Sequence, residues 1–189
     1  MCENYSLTHI CKPCQRNFLT PTQLYKRTLE NGTDVYSFYR YSEIKELLHT
    51  KHTDLGYYIY KILAQNSLKI FAKEFHFTNK VVSLGVDEHI GANYSHTAIL
   101  NKALKSNTIT PLHAKLLAKN RVNYSGKTKT YRKQHPRDFV VGDFAQEDVI
   151  VVDDIVTTGT TLLEATKKLS SANKNVLFCL ALCDVSKKN

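Results

Sequence analysis

The sequence predicts an α/β domain, a mainly parallel sheet flanked by helices, with a small cysteine-bearing appendage at the N-terminus. Three observations carry this. Runs of apolar residues at 80–86, 149–152 and 175–183 read as strands buried on both faces, the pattern of a parallel sheet. Segments with helical spacing of apolar residues fall between them. At the end of the run Val149, Ile150, Val151, Val152 come two carboxylates, Asp153 and Asp154, and then Thr157, Thr158, Gly159, Thr160 and Thr161 ahead of a helical stretch, Leu162–Leu169. A strand, a polar turn and a helix in that order place a binding site at the carboxyl end of the sheet. The glycine permits a tight turn, and first-turn N–H groups of the helix gather at one spot suited to a phosphate.

The 189 residues suffice for one substantial core. Hydrophobic content of 42% with seven glycines and four prolines excludes disordered and fibrous classes. The longest apolar run, 176–183, is too short to span a membrane, so no membrane insertion is expected, and the first residues lack the apolar core of a secretion signal. Five cysteines in such a chain point to a reducing compartment, hence a cytoplasmic location. Cys179 and Cys183, roughly 13 Å apart along one strand, are core residues and not a disulfide.

Residues 1–30 form the N-terminal segment and 31–189 the main domain. Cys11 and Cys14 have the spacing that lets two thiolates of one turn reach a single zinc ion; Cys2 is a third ligand. The fourth is open: His9, a degenerate site, or a cysteine upstream of Met1, three residues before Cys2. After the turn Asn31–Gly32, residues 35–41 alternate as a strand. Ser42 caps a helix over 43–49, and Asp54 caps a longer one reaching about Phe75. A strand over 80–86 leads to Asp87, a hard oxygen ligand able to hold Mg²⁺ through water or simply a turn residue, and a helix runs from about Tyr94 to Lys105. Residues 112–118 fit either element; strand is preferred.

From His89 to Arg137 there is no acidic residue, while ten of the 26 lysines and arginines lie there. That field attracts polyanions such as pyrophosphate, nucleotide or single-stranded nucleic acid, unless it is only a solvated basic face. Within it, Asn120–Arg137 reads as a mobile basic excursion, a lid whose Lys127, Lys129 and Arg132 reach a pyrophosphate. Tyr94, Tyr124 and Tyr131 are interleaved with the basic residues as candidates for base stacking.

The stretch from Val149 to Leu163 resembles the phosphoribosyl-pyrophosphate (PRPP) signature of type I phosphoribosyltransferases. The resemblance implies that Asp153 and Asp154 hold the two ribose hydroxyls, that Thr157 to Thr161 wrap the 5′-phosphate, and that PRPP comes with Mg²⁺. Taken with the cysteine-bearing N-terminus and the early strand–helix–helix block, the chain resembles the ComF family, whose ComFC-type proteins are linked to DNA uptake in natural transformation. Two departures stand out. Members usually carry two CxxC pairs, where this chain has one. They also commonly show Arg-Gly-Phe-Asn-Gln where this chain has Ala92, Asn93, Tyr94, Ser95 and His96. The resemblance implies an enzyme transferring phosphoribose to an unknown acceptor, or a PRPP-sensing module that binds single-stranded DNA beside other DNA-uptake proteins.

Overall fold

The computed structural model describes residues 2, 6, 8–51, 53–86, 94–120 and 128–185, with backbone alone at 129, 132 and 133. The apolar runs become adjacent strands. β1 (Tyr25–Thr28), β2 (Asp34–Arg40), β3 (Val81–Gly85), β4 (Ile109–Leu112), β7 (Asp148–Val156) and β8 (Asn175–Asp184) form one sheet in the order β1-β2-β8-β7-β3-β4. Every pairing is parallel except β1 with β2. A separate antiparallel hairpin joins β5 (Leu116–Ala118) to β6 (Phe139–Val141). The expected architecture, a mainly parallel sheet flanked by helices, is the one found.

β7 lies inside the sheet, between β8 and β3, and its residues 149–152 are all 0% exposed. Burying each such side chain stabilises by about 1.5–3 kcal/mol. Strand alternation divides them between two cores. Ile150 and Val152 pack with α2 (Tyr41–Leu48), α3 (Asp54–Asn66), α4 (Leu68–Glu74) and α5 (His96–Ala103). Val149 and Val151 pack with the β5–β6 hairpin and α7 (Thr160–Ser171). Cys179 and Cys183 are buried free thiols in β8. Among the described residues no helix is long and apolar enough to cross a membrane.

Several local expectations are corrected. The helix expected from Asp54 to Phe75 is two helices, because Ser67 leaves helical geometry (φ −127°, ψ −87°) while its hydroxyl donates to Leu63 O at 2.6 Å. Its cap is Thr53, whose Oγ1 accepts from Gly56 N–H at 3.3 Å, and Asp54 falls in the first turn. Ser42 caps nothing: α2 starts at Tyr41, and Glu43 Oε2 reaches back to accept from Arg40 N–H at 2.8 Å. Residues 112–118 hold parts of two strands in different sheets, turned apart at Ala114 (φ 53°). The excursion Asn120–Arg137 contains α6 (Lys129–Gln134), capped by Thr128, and α6 lies against α7. β1, inside the 1–30 segment, belongs to the main sheet; that segment also contains α1 (Lys12–Phe18).

Candidate functional site

The site is the turn from β7 into α7. β7 continues through the acid pair to Val156, after which Gly159 takes a left-handed conformation (φ 76°, ψ 1°) and serves as N-cap of α7. The left-handed conformation requires glycine, and a Cβ there would also lie 2.8 Å from Leu29 Cδ2, which would have to shift. Asp153, Thr157, Gly159, Thr160 and Thr161 line one small cavity, which brings an acid and the hydroxyl-rich turn together. Thr158 Oγ1 lies 2.9 Å from Thr160 Oγ1, beside the helix N-terminus that favours an anion.

The two acids part company. Asp153 lies half-buried over the cavity, and its Oδ1 accepts from Asp154 N–H at 2.8 Å. Asp154 is buried and engages α3 and the turn before it: Lys51 Nζ and the Tyr60 hydroxyl, at 3.4 Å, both donate to its Oδ2. Burial, reinforced by the neighbouring Asp154 charge, pushes the Asp153 carboxyl up to about 8. Burial acts on Asp154 in the same sense, but the Lys51 ammonium outweighs it and holds that carboxyl below its ordinary value. Burial likewise opposes the Lys51 charge, and Asp154 again prevails, so the ammonium is held above its ordinary value.

Three contributors were invisible in the motif. Lys51 and Tyr60 are two. Arg27 of β1 is the third: Nη1 donates to Thr157 O at 2.9 Å and to Asp184 Oδ1 at 3.2 Å, tying the turn to the end of β8. Nothing in the sequence singles them out: Arg27 stands between Lys26 and Thr28, and Lys51 between Thr50 and His52.

Of the remaining expected site residues, Asp87 and Lys127 lie outside the described residues, as does Tyr124. Lys129 and Arg132 belong to α6, near α7, with side chains outside those described. Tyr94 is engaged, its hydroxyl donating to Thr53 O at 3.2 Å, and the Tyr131 ring stacks on His135 with centroids 4.1 Å apart.

The cysteines form a second cluster. Cys11 is the N-cap of α1, and the Sγ atoms of Cys2, Cys11 and Cys14 all lie within 4.8 Å of one another. Three thiols so placed match the donor chemistry that zinc prefers and can hold a metal ion. His9 stands apart from this group, its ring 4.4 Å from that of Tyr58.

No protein-family model matches the chain, and no curated protein sequence matches it. Solved structures similar to it include a hypoxanthine phosphoribosyltransferase from Staphylococcus aureus, with 16% identity, 69% of this chain and 68% of that one covered, and TM-score 0.39. An adenine phosphoribosyltransferase has 14% identity, coverage of 87% and 86%, and TM-score 0.43. The orotate phosphoribosyltransferase from Aeropyrum pernix has 19% identity, coverage of 91% and 80%, and TM-score 0.36. These likenesses are distant, so the α/β assignment stands on the strand order and the site on its own geometry.

Proposed function

We propose that the chain is a cytoplasmic, ComF-like phosphoribosyltransferase that binds PRPP with Mg²⁺ and acts in DNA uptake, with an acceptor still to be identified. The observation that carries the PRPP reading is the single cavity shared by Asp153 and the Thr157–Thr161 turn. Carboxylates accept from hydroxyls, and a left-handed glycine at a helix N-terminus exposes N–H donors to a phosphate. Asp153 and Asp154 would hold the ribose diol and the threonine turn the 5′-phosphate, which positions the anomeric carbon without touching it. Magnesium carried with PRPP would supply charge neutralisation at the departing pyrophosphate. Lys127, Lys129 and Arg132 would add to it from the basic segment. The DNA-uptake role rests on the resemblance and on the acid-free basic stretch from 89 to 137. Zinc at Cys2, Cys11 and Cys14 would brace the N-terminal segment, its fourth ligand unassigned.

A second reading has an observation of its own. The family's Arg-Gly-Phe-Asn-Gln is replaced here, and Tyr94 in its place is engaged with Thr53. A chain that kept the pocket and gave up the chemistry would be a PRPP sensor holding single-stranded DNA. Pyrophosphate release from PRPP with Mg²⁺, measured beside calorimetric PRPP binding, separates the two. Release and binding that both vanish in Asp153→Asn/Asp154→Asn support the enzyme; binding without release supports the sensor. PRPP binding untouched by the double substitution would overturn both. Single-stranded DNA binding should survive that substitution and weaken steeply with salt.

A further inference from the structure

The acid pair has a charged partner that neither β7 nor the turn after it supplies. Lys51 sits between α2 and α3, 103 residues from Asp154, and donates to Asp154 Oδ2, which also accepts from the Tyr60 hydroxyl. The connecting turn is built to deliver it. Thr50 Oγ1 donates to Leu47 O at 2.6 Å and Thr53 N–H to Thr50 O at 3.0 Å. Gly56 makes the close packing possible, since a Cβ there would stand 2.2 Å from Thr50 O and 2.4 Å from Tyr94 Oη. The Lys51 side chain is 31% exposed and that of Asp154 only 12%, so the pair is shielded from the solvent that makes most surface ion pairs weak.

What the pair does follows from its geometry. Asp153 and Asp154 are adjacent carboxylates, and two such groups without a cation share a proton. If the Asp153 proton were shared with Asp154 in this way, the site would have no fully charged acceptor for a hydroxyl. Lys51 and Tyr60 occupy one oxygen of Asp154 only. Asp153 Oδ1 accepts from Asp154 N–H, and the two carboxyl groups lie within hydrogen-bond reach of each other.

We propose that Lys51 is a positioning residue of the ribose site: with Tyr60 it pins Asp154 through Oδ2 as an anion, leaving Asp154 Oδ1 as the charged acceptor for a ribose hydroxyl. This rests on the reading that the acid pair holds ribose. The groups around Asp154 are Lys51, Tyr60, His96 of α5, Asp153 and Cys183 of β8, while Arg137 acts on Asp153 and Lys51. Of these, Lys51 is the cation in hydrogen-bond contact with Asp154.

The test follows aspartate side-chain carboxyls by ¹³C NMR titration in wild type, Lys51→Met and Lys51→Arg, with Asp153→Asn and Asp154→Asn for assignment. Calorimetric binding of Mg²⁺-PRPP is measured over the same range, about pH 5 to 9. In Lys51→Met the titration of the pair should move up by about one pH unit or more, and the acid limb of PRPP binding with it. Affinity then falls about tenfold on that limb and recovers above it. Lys51→Arg should keep both at their wild-type positions. If Lys51→Met fails to fold, Tyr60→Phe, which removes one neutral hydrogen bond, should show a smaller shift in the same direction. An unmoved carboxyl titration in a folded variant overturns the proposal whether or not PRPP binds. A titration that moves in a chain that binds no PRPP overturns the ribose reading alone and leaves the hold of Lys51 on Asp154 standing.

Discussion

The β7–α7 turn and the Cys11–Cys14 turn both collect ligand donors at the start of a helix, and they are held in opposite ways. The first rests on a strand with 0% exposed residues, is braced by Leu29 beneath Gly159 and is strutted by Arg27 from a remote hairpin. Its shape is set before any ligand arrives. The second is a seven-residue helix whose cap, Cys11, belongs to the thiol cluster. It is tied to the main domain through side chains: Gln15 Nε2 donates to Ile10 O at 2.6 Å, Asn66 Nδ2 to Gln15 Oε1 at 3.2 Å, and the Tyr39 hydroxyl to Leu19 O at 2.6 Å. A metal held there would stabilise the turn, because ligand binding at such a site is folding. One chain thus pairs a preorganised turn with one that a bound metal would order.

The sharpest way to press the contrast is Asp153→Asn. Weakening the acceptor bond to one ribose hydroxyl, at about 1.5–3 kcal/mol, should cut PRPP affinity about ten- to a hundredfold, read by calorimetry. Stability should move the other way. The folded-state carboxyl of Asp153 is raised from 3.8 to about 8, so the folded chain binds the extra proton and stability declines as pH climbs through that interval. Asparagine removes the penalty, and the thermal midpoint should rise at pH 8 relative to wild type and change little near pH 4. An affinity unchanged by the substitution would remove Asp153 from the ribose site.

Gly159→Val attacks the preformed turn itself. The left-handed φ and the collision with Leu29 together should cost about 2–4 kcal/mol in chemical denaturation. A variant as stable as wild type would show that the turn is not braced from below. The opposite region is probed by a zinc chelator or Cys11→Ser. Either should open residues 8–20 to proteolysis while PRPP binding stays within about twofold, the result expected if the two turns contribute additively. Loss of PRPP binding on chelation would mean that the regions are coupled. The smallest effect is expected from Arg27→Met, which removes two charge-assisted hydrogen bonds and should cost about 2 kcal/mol, seen as a lower thermal midpoint with a modest rise in the PRPP dissociation constant.

The parts legible in the sequence are those written contiguously. The run at 149–152, the acids, the glycine and the helix after it all lie within one stretch, and local geometry alone makes them a strand, a turn and a helix start. The buried strands β3 and β8 were legible because a strand covered on both faces is apolar at nearly every position. The break at Ser67 was not, since a serine that bonds back to Leu63 looks like any polar residue on a helix. β1 and β6 were missed for a related reason: they are short and half-exposed, and their strand character comes from a neighbour's ladder more than from their own pattern.

The sequence by itself determined a mainly parallel α/β fold, the phosphate-turn geometry that Gly159 permits, and a cysteine turn able to hold metal, because each depends on residues within a few positions of one another. Only the tertiary structure decided that the two aspartates differ. Lys51, Tyr60 and Arg27 reach the site from 103, 94 and 130 residues away, and alternation along β7 turns Asp153 toward the cavity and Asp154 toward the lysine. Charge and burial act through space, so which acid is held as an anion and which is driven toward its proton is settled by packing and not by order along the chain.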